Sequence, residues 1–323
     1  MSRKKHIGIF LPRKNPILHA VEGNGILPDD VRAFLIAGLD GSQEVASVTH
    51  CDLNNAYIRN GKVYEGSKCL SDLDLVHWYF ITHQPDSWHM IVLRALAKTT
   101  RVVPDPEGML LGLDKYHAHA ALRHAGLATA EFALFRADAV NLVADSLFKG
   151  GGPILLKPRL GGFGHGIHMV KSARELIDAV EYAQSFSSAM PHIFCEAFEE
   201  NDISQWISTT VIGGELVYGY RKKPEKFVDN WKVYDADRVG GGVDYVDAAP
   251  VRDAALRAAK TLGCDIVGFD FIYSIQKKAY LIVDENTFPG MYPHCFEAAG
   301  SGSWDQHFLR MILDILHTQE NNK

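Results

Sequence analysis

Apolar residues recur along the chain in two rhythms, and the alternation between them predicts most of its elements. Runs rich in β-branched and aromatic residues at 7–11, 45–51 and 73–80 have the character of strands. Between the first two, Pro28-Asp29-Asp30-Val31 opens a helix, with acids in its first turn and then apolar positions at Phe34, Leu35 and Leu39. A second amphipathic helix spans 87–98 and leads into a strand at 101–103. Strand–helix–strand order of this kind favours an open, mostly parallel sheet. Asn60-Gly61 between 57–58 and 63–64 marks a tight hairpin.

Pro104-Asp105-Pro106 interrupts this pattern, and a domain boundary is expected there because two prolines in three residues break any element. Beyond it come a helix at 114–125, strands at 131–135 and 154–158, a glycine-rich loop at 161–166 and a strand at 167–171. Ser172 and Glu175 form a capping box for a helix running to about 185. The last third predicts a strand at 192–198, a meander of 208–212 and 216–222 joined by Gly213-Gly214, and a polar loop at 223–242. A helix at 251–262, a hairpin of 268–273 with 279–286 and a closing helix at 307–317 complete it. The implied units are 1–105, 106–191 and 192–323, with no internal repeat.

Composition narrows the class. At 323 residues with 47% hydrophobic and 22% charged positions, the chain suits two or three compact units and excludes disorder, collagen and coiled coil. A net charge of −6 gives no broad nucleic-acid patch. Cys51, Cys69, Cys195, Cys264 and Cys295 are scattered without a CxxC, as in a reduced cytoplasmic protein. The N-terminal apolar run is too short for a signal peptide, and no stretch nears the ~20 apolar residues of a membrane helix. A cytoplasmic enzyme with no nucleic-acid or membrane partner is expected.

Two segments carry chemistry. In Leu155-Leu156-Lys157-Pro158-Arg159-Leu160-Gly161-Gly162-Phe163-Gly164-His165-Gly166-Ile167 a strand delivers a lysine into a loop with four glycines in six residues. Backbone N–H groups unobstructed by Cβ atoms can converge there on an anion, and the lysine adds a full charge. A tight hairpin with its own turn glycines is the plainer alternative. In the second segment, Gly268–Ile272 and Leu281-Ile282-Val283-Asp284-Glu285-Asn286-Thr287-Phe288-Pro289-Gly290, alternation puts Asp284 and Asn286 on one face and Glu285 on the other. If the runs pair, Asp270 joins Asp284 and Asn286 as a patch of oxygen donors suited to Mg²⁺. Solvated acids at a strand end are the alternative, but carboxylates inside apolar strands are costly without a partner.

Taken in order, Lys157-Pro158 with its glycine loop, the strand Ile193-Phe194-Cys195-Glu196-Ala197-Phe198, and Asp270 followed by Asp284-x-Asn286-x-x-Pro289-Gly290 resemble the ATP-grasp superfamily. Within it they look most like the glutathione-synthetase-like, RimK-type carboxylate–amine ligases, over about 114–290. The resemblance implies an α/β fold in which two α+β lobes, 106–191 and 192–323, grip ATP behind the parallel-sheet N-terminal domain. It implies that Lys115 and Lys157 sit on phosphates under Gly162, Phe163, Gly164, His165 and Gly166, and that Glu196, Ala197 and Phe198 form the hinge that holds adenine. Asn230 falls near the phosphates, Arg221 or Lys222 at the reacting centre, and Asp270, Asp284 and Asn286 match the ligands of Mg²⁺, as a pair of ions with Mn²⁺ as an alternative.

The sequence departs from the family in three places: Asp284 stands for the usual Glu, Glu285 for an apolar residue, and Trp206 and Ser208 for an Asp and an Arg. Asp202 or Glu200 takes over the ribose in that alignment. His117 and His119 lie two apart in a helix on different faces, which argues against a metal pair, and Cys195 has no His/Asp partner to make it a nucleophile. Tyr292 and His294 follow the Pro-Gly turn, either as substrate contacts or as a structured loop. The implied reaction is ATP-dependent amide formation through an acyl phosphate, joining a small carboxylate to an amine, an amino acid or peptide, in a homo-oligomer. A kinase of the same scaffold acting on an inositol phosphate is the alternative. Residues 1–100, with 11 basic and 10 acidic side chains, do not favour so anionic a substrate. Nucleotide binding without turnover is a third reading, opposed by the two lysines and the metal trio.

Overall fold

The computed structural model describes residues 3–11, 28–80, 85–161, 164, 166–186, 192–223, 227–228, 231–233 and 242–321. Strands β1 (Lys5–Phe10), β2 (Val45–His50), β3 (Leu75–Trp78) and β4 (Arg101–Val103) make a parallel sheet in the order β2-β1-β3-β4. Parallel neighbours need crossovers, and helices α1 (Pro28–Asp40) and α2 (Trp88–Leu96) lie in two of them. A small antiparallel ribbon of Ala56–Arg59, Lys62–Glu65 and Lys68–Cys69 intervenes. Its first turn holds Asn60 and Gly61 at φ 50° and 76°, the left-handed pair that Asn-Gly favours.

Pro104–Pro106 does not end in a loop. Pro106 enters the first turn of α3 (Pro106–Leu113), and Asp105 caps it, accepting from the Glu107 and Gly108 N–H groups at 2.8 and 3.1 Å. A proline there forfeits nothing, because first-turn N–H groups have no helical partner. Asp114 then ends α3 and caps α4 (Lys115–His124), so the single predicted helix is the second of two. Gly108 is required at the crossing of α3 with the helix 252–262. A Cβ on it would lie 2.2 Å from the Gly263 carbonyl oxygen.

The middle of the chain forms β5 (Phe132–Arg136), α5 (Val140–Leu147), β6 (Ile154–Lys157), β7 (His168–Val170), α6 (Ala173–Phe186) and β8 (His192–Ala197). Its antiparallel sheet has the order β7-β6-β8-β5, so 192–197 pairs within the central lobe although the expected division at 191/192 assigned it to the last one. Val140, Ala144, Leu176 and Val180 of the helices lie in the core beside Ile154 and Ile193. Ser172 Oγ accepts from Glu175 N at 3.2 Å as a cap should. The Glu175 carboxylate reaches back to Lys171 N at 2.7 Å, one residue beyond the Ser172 N–H of the expected box.

The last lobe is an antiparallel sheet, β11-β10-β9-β12-β13, built from β9 (Ile207–Ile212), β10 (Glu215–Lys222), β11 (Val243–Val246), β12 (Ile266–Ser274) and β13 (Ala279–Asn286). Helix α7 (Arg252–Leu262) packs Ala255, Ala258, Ala259 and Leu262 against Val211, Val267, Phe269 and Ile282. Within the expected loop 223–242 a short hairpin, Phe227–Val228 with Lys232–Val233, is described. Helices α8 (Pro293–Ala299) and α9 (Trp304–Asn321) follow, the latter longer than its apolar spacing suggests. Helix α9 returns to the N-terminal sheet: Trp304, Phe308 and Ile312 share a core with Ile7, Leu75 and Trp78. The two lobes meet along β13, where Ile282 N donates to Ala128 O at 2.9 Å and Ile282 bridges Thr129.

Candidate active site

β12 and β13 pair with a register shift between Asp270 and Phe271, beyond which Asp270 stands opposite Asp284 and Gly268 opposite Asn286. Phe269 and Phe271 face the α7 side, so the intervening Asp270 faces the cleft. Ser208 Oγ donates to Asp270 at 2.6 Å and Lys222 Nζ meets its other oxygen at 2.5 Å, with the ammonium 5.7 Å from the centre of the Trp206 ring. Asp284 is paired with Lys115. Desolvation pulls the Asp284 carboxyl up, but Lys115 and Lys157 outweigh it and hold the group below its ordinary value. Asn286 Oδ1 accepts from Phe288 N at 3.1 Å, which fixes the turn and leaves the amide oxygen a second lone pair. Among the described residues no three His, Cys, Asp or Glu cluster as a metal site. The donor set here is two carboxylates and an amide, all oxygen, which suits a hard divalent cation that completes its shell with phosphate and water.

Lys157 ends β6 and turns toward the same cleft. Its Nζ donates to Val283 O at 2.8 Å and pairs with Glu196 at 2.6 Å. Asp114 bridges Leu160, and Lys115 N donates to Arg159 O at 3.1 Å, so the root of the glycine loop is tied to the start of α4. Gly161, Gly164 and Gly166 have φ of 142°, 69° and 70°, and a Cβ on Gly166 would come within 2.8 Å of Pro158. Gly162, Phe163, His165 and Asn230 lie outside the described residues.

Lys115, Lys157, Glu196, Lys222, Asp270 and Asp284 are therefore linked around one cleft, with Asn286 on the same strand. Ala197 and Phe198 continue β8 beside it. Their N–H groups are used by Glu131 O at 2.7 Å and Pro153 O at 2.9 Å, and the Phe198 ring lies 6.3 Å from Trp231. Arg221 parts from its neighbour, as alternation requires, and donates from Nε to Trp206 O at 3.1 Å. Asp202 caps the turn Ile203–Gln205, accepting from Ser204 N and Gln205 Nε2, both at 2.9 Å. It borders an open groove with Tyr273, Ile275 and Lys278 rather than joining the two paired aspartates. Tyr292 packs on Tyr220 at 5.1 Å, and His294 Nε2 donates to Val243 O at 3.0 Å. Cys195 is buried, its thiol pushed up to about 12.

Two residues acquire partners that sequence reasoning did not give them. Glu285, pointing away from the cleft face, is buried against His119 at 3.3 Å, and the other nitrogen of that imidazole lies 3.0 Å from Glu196. Burial alone would push His119 down, but Glu285 and Glu196 outweigh it and hold the imidazole up at about 10. Glu196 is opposed by burial yet held down at about 2, by Lys157 and then His119. The one signal in the sequence was an acid at a strand position that is otherwise apolar.

A model of the D-Ala–D-Ala ligase C-terminus matches residues 121–305, more than half of the chain. The chain belongs to the D-Ala–D-Ala ligase C-terminal family. A relative named D-alanine–D-alanine ligase, from Synechococcus sp., is 26% identical over 226 residues. That match covers 65% of this chain and 66% of the relative, so the chain spans a little under two thirds of that relative's length. Among solved structures, D-alanine–D-alanine ligase from Bacillus anthracis superposes with a TM-score of 0.66 at 18% identity, covering 99% of this chain and 100% of that one. A RimK domain ATP-grasp protein from Sphaerobacter thermophilus gives 0.61 at 14%, covering 96% and 98%. At those identities the likeness is one of fold, and the fold is the ATP-grasp fold with its preceding parallel-sheet domain. No helix among the described residues is long and apolar enough to cross a membrane.

Proposed function

We propose that this member of the D-Ala–D-Ala ligase C-terminal family is an ATP-dependent carboxylate–amine ligase acting on small amino acids, in the cytoplasm. The observation that carries the reading is the paired Asp270 and Asp284, each held by a lysine, in the cleft that Lys157 enters from the other lobe. In this reading a carboxylate oxygen attacks the γ-phosphorus of ATP and ADP departs, leaving an acyl phosphate. The amine nitrogen then attacks the acyl carbon, phosphate leaves with the C–O bond electrons, and the nitrogen gives up its proton.

Such chemistry asks the protein for positioning and charge rather than covalent help. Lys115 and Lys157 would hold phosphate oxygens, with Glu196, Ala197 and Phe198 at the base. Lys222, rather than Arg221, would face the reacting oxygens. Asp270, Asp284 and Asn286 would hold Mg²⁺, which supplies charge neutralisation between phosphate oxygens. The glycine loop would exclude water from the acyl phosphate.

The test is mass spectrometry of the protein with ATP, Mg²⁺ and pooled amino acids, D-alanine among them, with free phosphate assayed in parallel. Amine-dependent phosphate release together with a product equal to two substrates less water is expected. A product carrying a phosphoryl group, with no free phosphate, overturns the ligase reading in favour of a kinase.

A further inference from the structure

The buried pair His119 and Glu285 is idle in the reaction above, yet it occupies the seam between the lobes. Glu196 belongs to β8 of the central lobe and Glu285 to β13 of the C-terminal lobe, and the His119 imidazole lies between them, 3.0 Å from one carboxylate and 3.3 Å from the other. All three side chains are buried, and the imidazole is the partner of both carboxylates. Phe132 and Phe194 stand at 5.6 and 5.7 Å with their rings steeply inclined to the imidazole, which closes the space to water. One turn earlier on the same face of α4, Lys115 grips Asp284. Because β13 is the last strand of its sheet, α4 reaches residues on both faces of it.

A buried carboxylate is costly without a partner, and the His119 imidazole, 3.3 Å away, is the partner of Glu285. A single apolar residue at 285 would remove the cost without a histidine. What the histidine adds is a tie: it connects the carboxylate paired with Lys157 to the strand that carries Asp284. We infer that His119 is a positioning residue that clamps Glu196 to Glu285 across the lobe seam, so that nucleotide affinity depends on it although it touches neither nucleotide nor metal. The inference rests on the ligase reading, in which the nucleotide lies between Lys157 and Asp284.

The experiment is calorimetric titration of a non-hydrolysable ATP analogue with Mg²⁺ into the full chain, its His119→Gln variant and the double variant His119→Gln/Glu285→Gln. The double variant leaves no unpaired charge at Glu285 and so folds where the single one fails. Thermal melts are taken in parallel. A merely structural histidine would lower the melting temperature of the single variant and leave the dissociation constant of folded protein unchanged. A clamp raises that constant roughly 10-fold in both variants, while the melt of the double variant returns toward wild type. Wild-type affinity in the folded double variant overturns the clamp and leaves the ligase reading standing. Absence of analogue binding by the wild type overturns both.

Discussion

Among the described residues two histidines are completely buried, and their surroundings have opposite character. His77 lies in β3 of the N-terminal sheet among apolar side chains, donating from Nδ1 to Val103 O at 3.0 Å, with the Phe308 ring 5.2 Å away. Burial drives it down to about 4, so it is a neutral residue filling a core. His119 sits between two carboxylates and is held up at about 10. Burial is the same and the charge state is reversed. The N-terminal region spends its interior on packing, whereas the cleft region keeps lysines, acids and an imidazolium in mutual balance.

The largest effect expected from disturbing that balance is on rate. Asp284→Ala removes one donor of the candidate metal set and leaves Lys115 unpaired, and turnover with Mg²⁺ should fall roughly 1,000-fold or more while the protein stays folded. Steady-state phosphate release at saturating substrates, with a thermal melt beside it, measures both. Near-normal turnover would remove Asp284 from the metal set. No substitution confined to the His77 core should approach that loss of rate.

Stability reverses the emphasis from chemistry to charge. His119→Leu strands Glu285, and partly Glu196, as buried anions, and breaking a buried pair in this way costs about 3–5 kcal/mol. His77→Leu forfeits one neutral hydrogen bond and leaves the Val103 carbonyl without that partner, for about 1 kcal/mol. Urea unfolding of the two variants compares them directly, and equal losses would mean that the cleft histidine is as neutral as the core one.

How much of this contrast was legible in the sequence follows from the range of each interaction. The facing of Asp270 between Phe269 and Phe271 was legible in the strand alternation, but its opposition to Asp284 was not. The register at the turn end would set Asp270 against Val283, and a bulge between Asp270 and Phe271 shifts it by one residue. Lys157 before a glycine loop was legible for the same local reason. Glu285 stood out as an acid at an apolar strand position, but nothing in the sequence named His119 as its partner, and only the passage of α4 along the edge of β13 brings the two together. Lys222 and Asp270 are likewise a tertiary pair; a strand pattern alone leaves Arg221 and Lys222 equivalent. The helix that opens at Pro106 was not predicted, because proline breaks a helix interior but begins a helix well, and only the Asp105 cap decides between the two. Helix α9 runs past its expected ends because its apolar face is completed by the distant N-terminal sheet.

A double substitution sharpens the contrast further. His119→Leu/Glu285→Val replaces the buried ion pair by two apolar residues, and Glu196 keeps Lys157 at 2.6 Å. Replacing a whole buried pair is often neutral, so most of the loss in His119→Leu should return, giving a coupling of about 2–3 kcal/mol between the two positions. Additive losses in the cycle would mean that the imidazole and Glu285 do not sense one another.

The smallest effect per step is the change with each pH unit, and its sign separates the two histidines. For His77, held at about 4 against an ordinary 6.5, the unfolded chain takes up a proton that the folded chain refuses. Its contribution is present above about pH 6.5 and is lost as pH falls toward 4. For His119, held at about 10, the folded chain keeps a proton that the unfolded chain releases. That contribution is fully present below about pH 6.5 and is lost as pH rises through 10. Each histidine can tilt stability by at most about 1.4 kcal/mol per pH unit. Urea midpoints at pH 5, 7 and 9 for wild type, His77→Leu and His119→Leu/Glu285→Val resolve this. The gap between wild type and His77→Leu should narrow from pH 7 to 5, and the gap to the double variant should narrow from pH 7 to 9. If both gaps move in the same direction, the two histidines share a charge state, and the division between a packed N-terminal core and a charge-balanced cleft fails at its own defining residues.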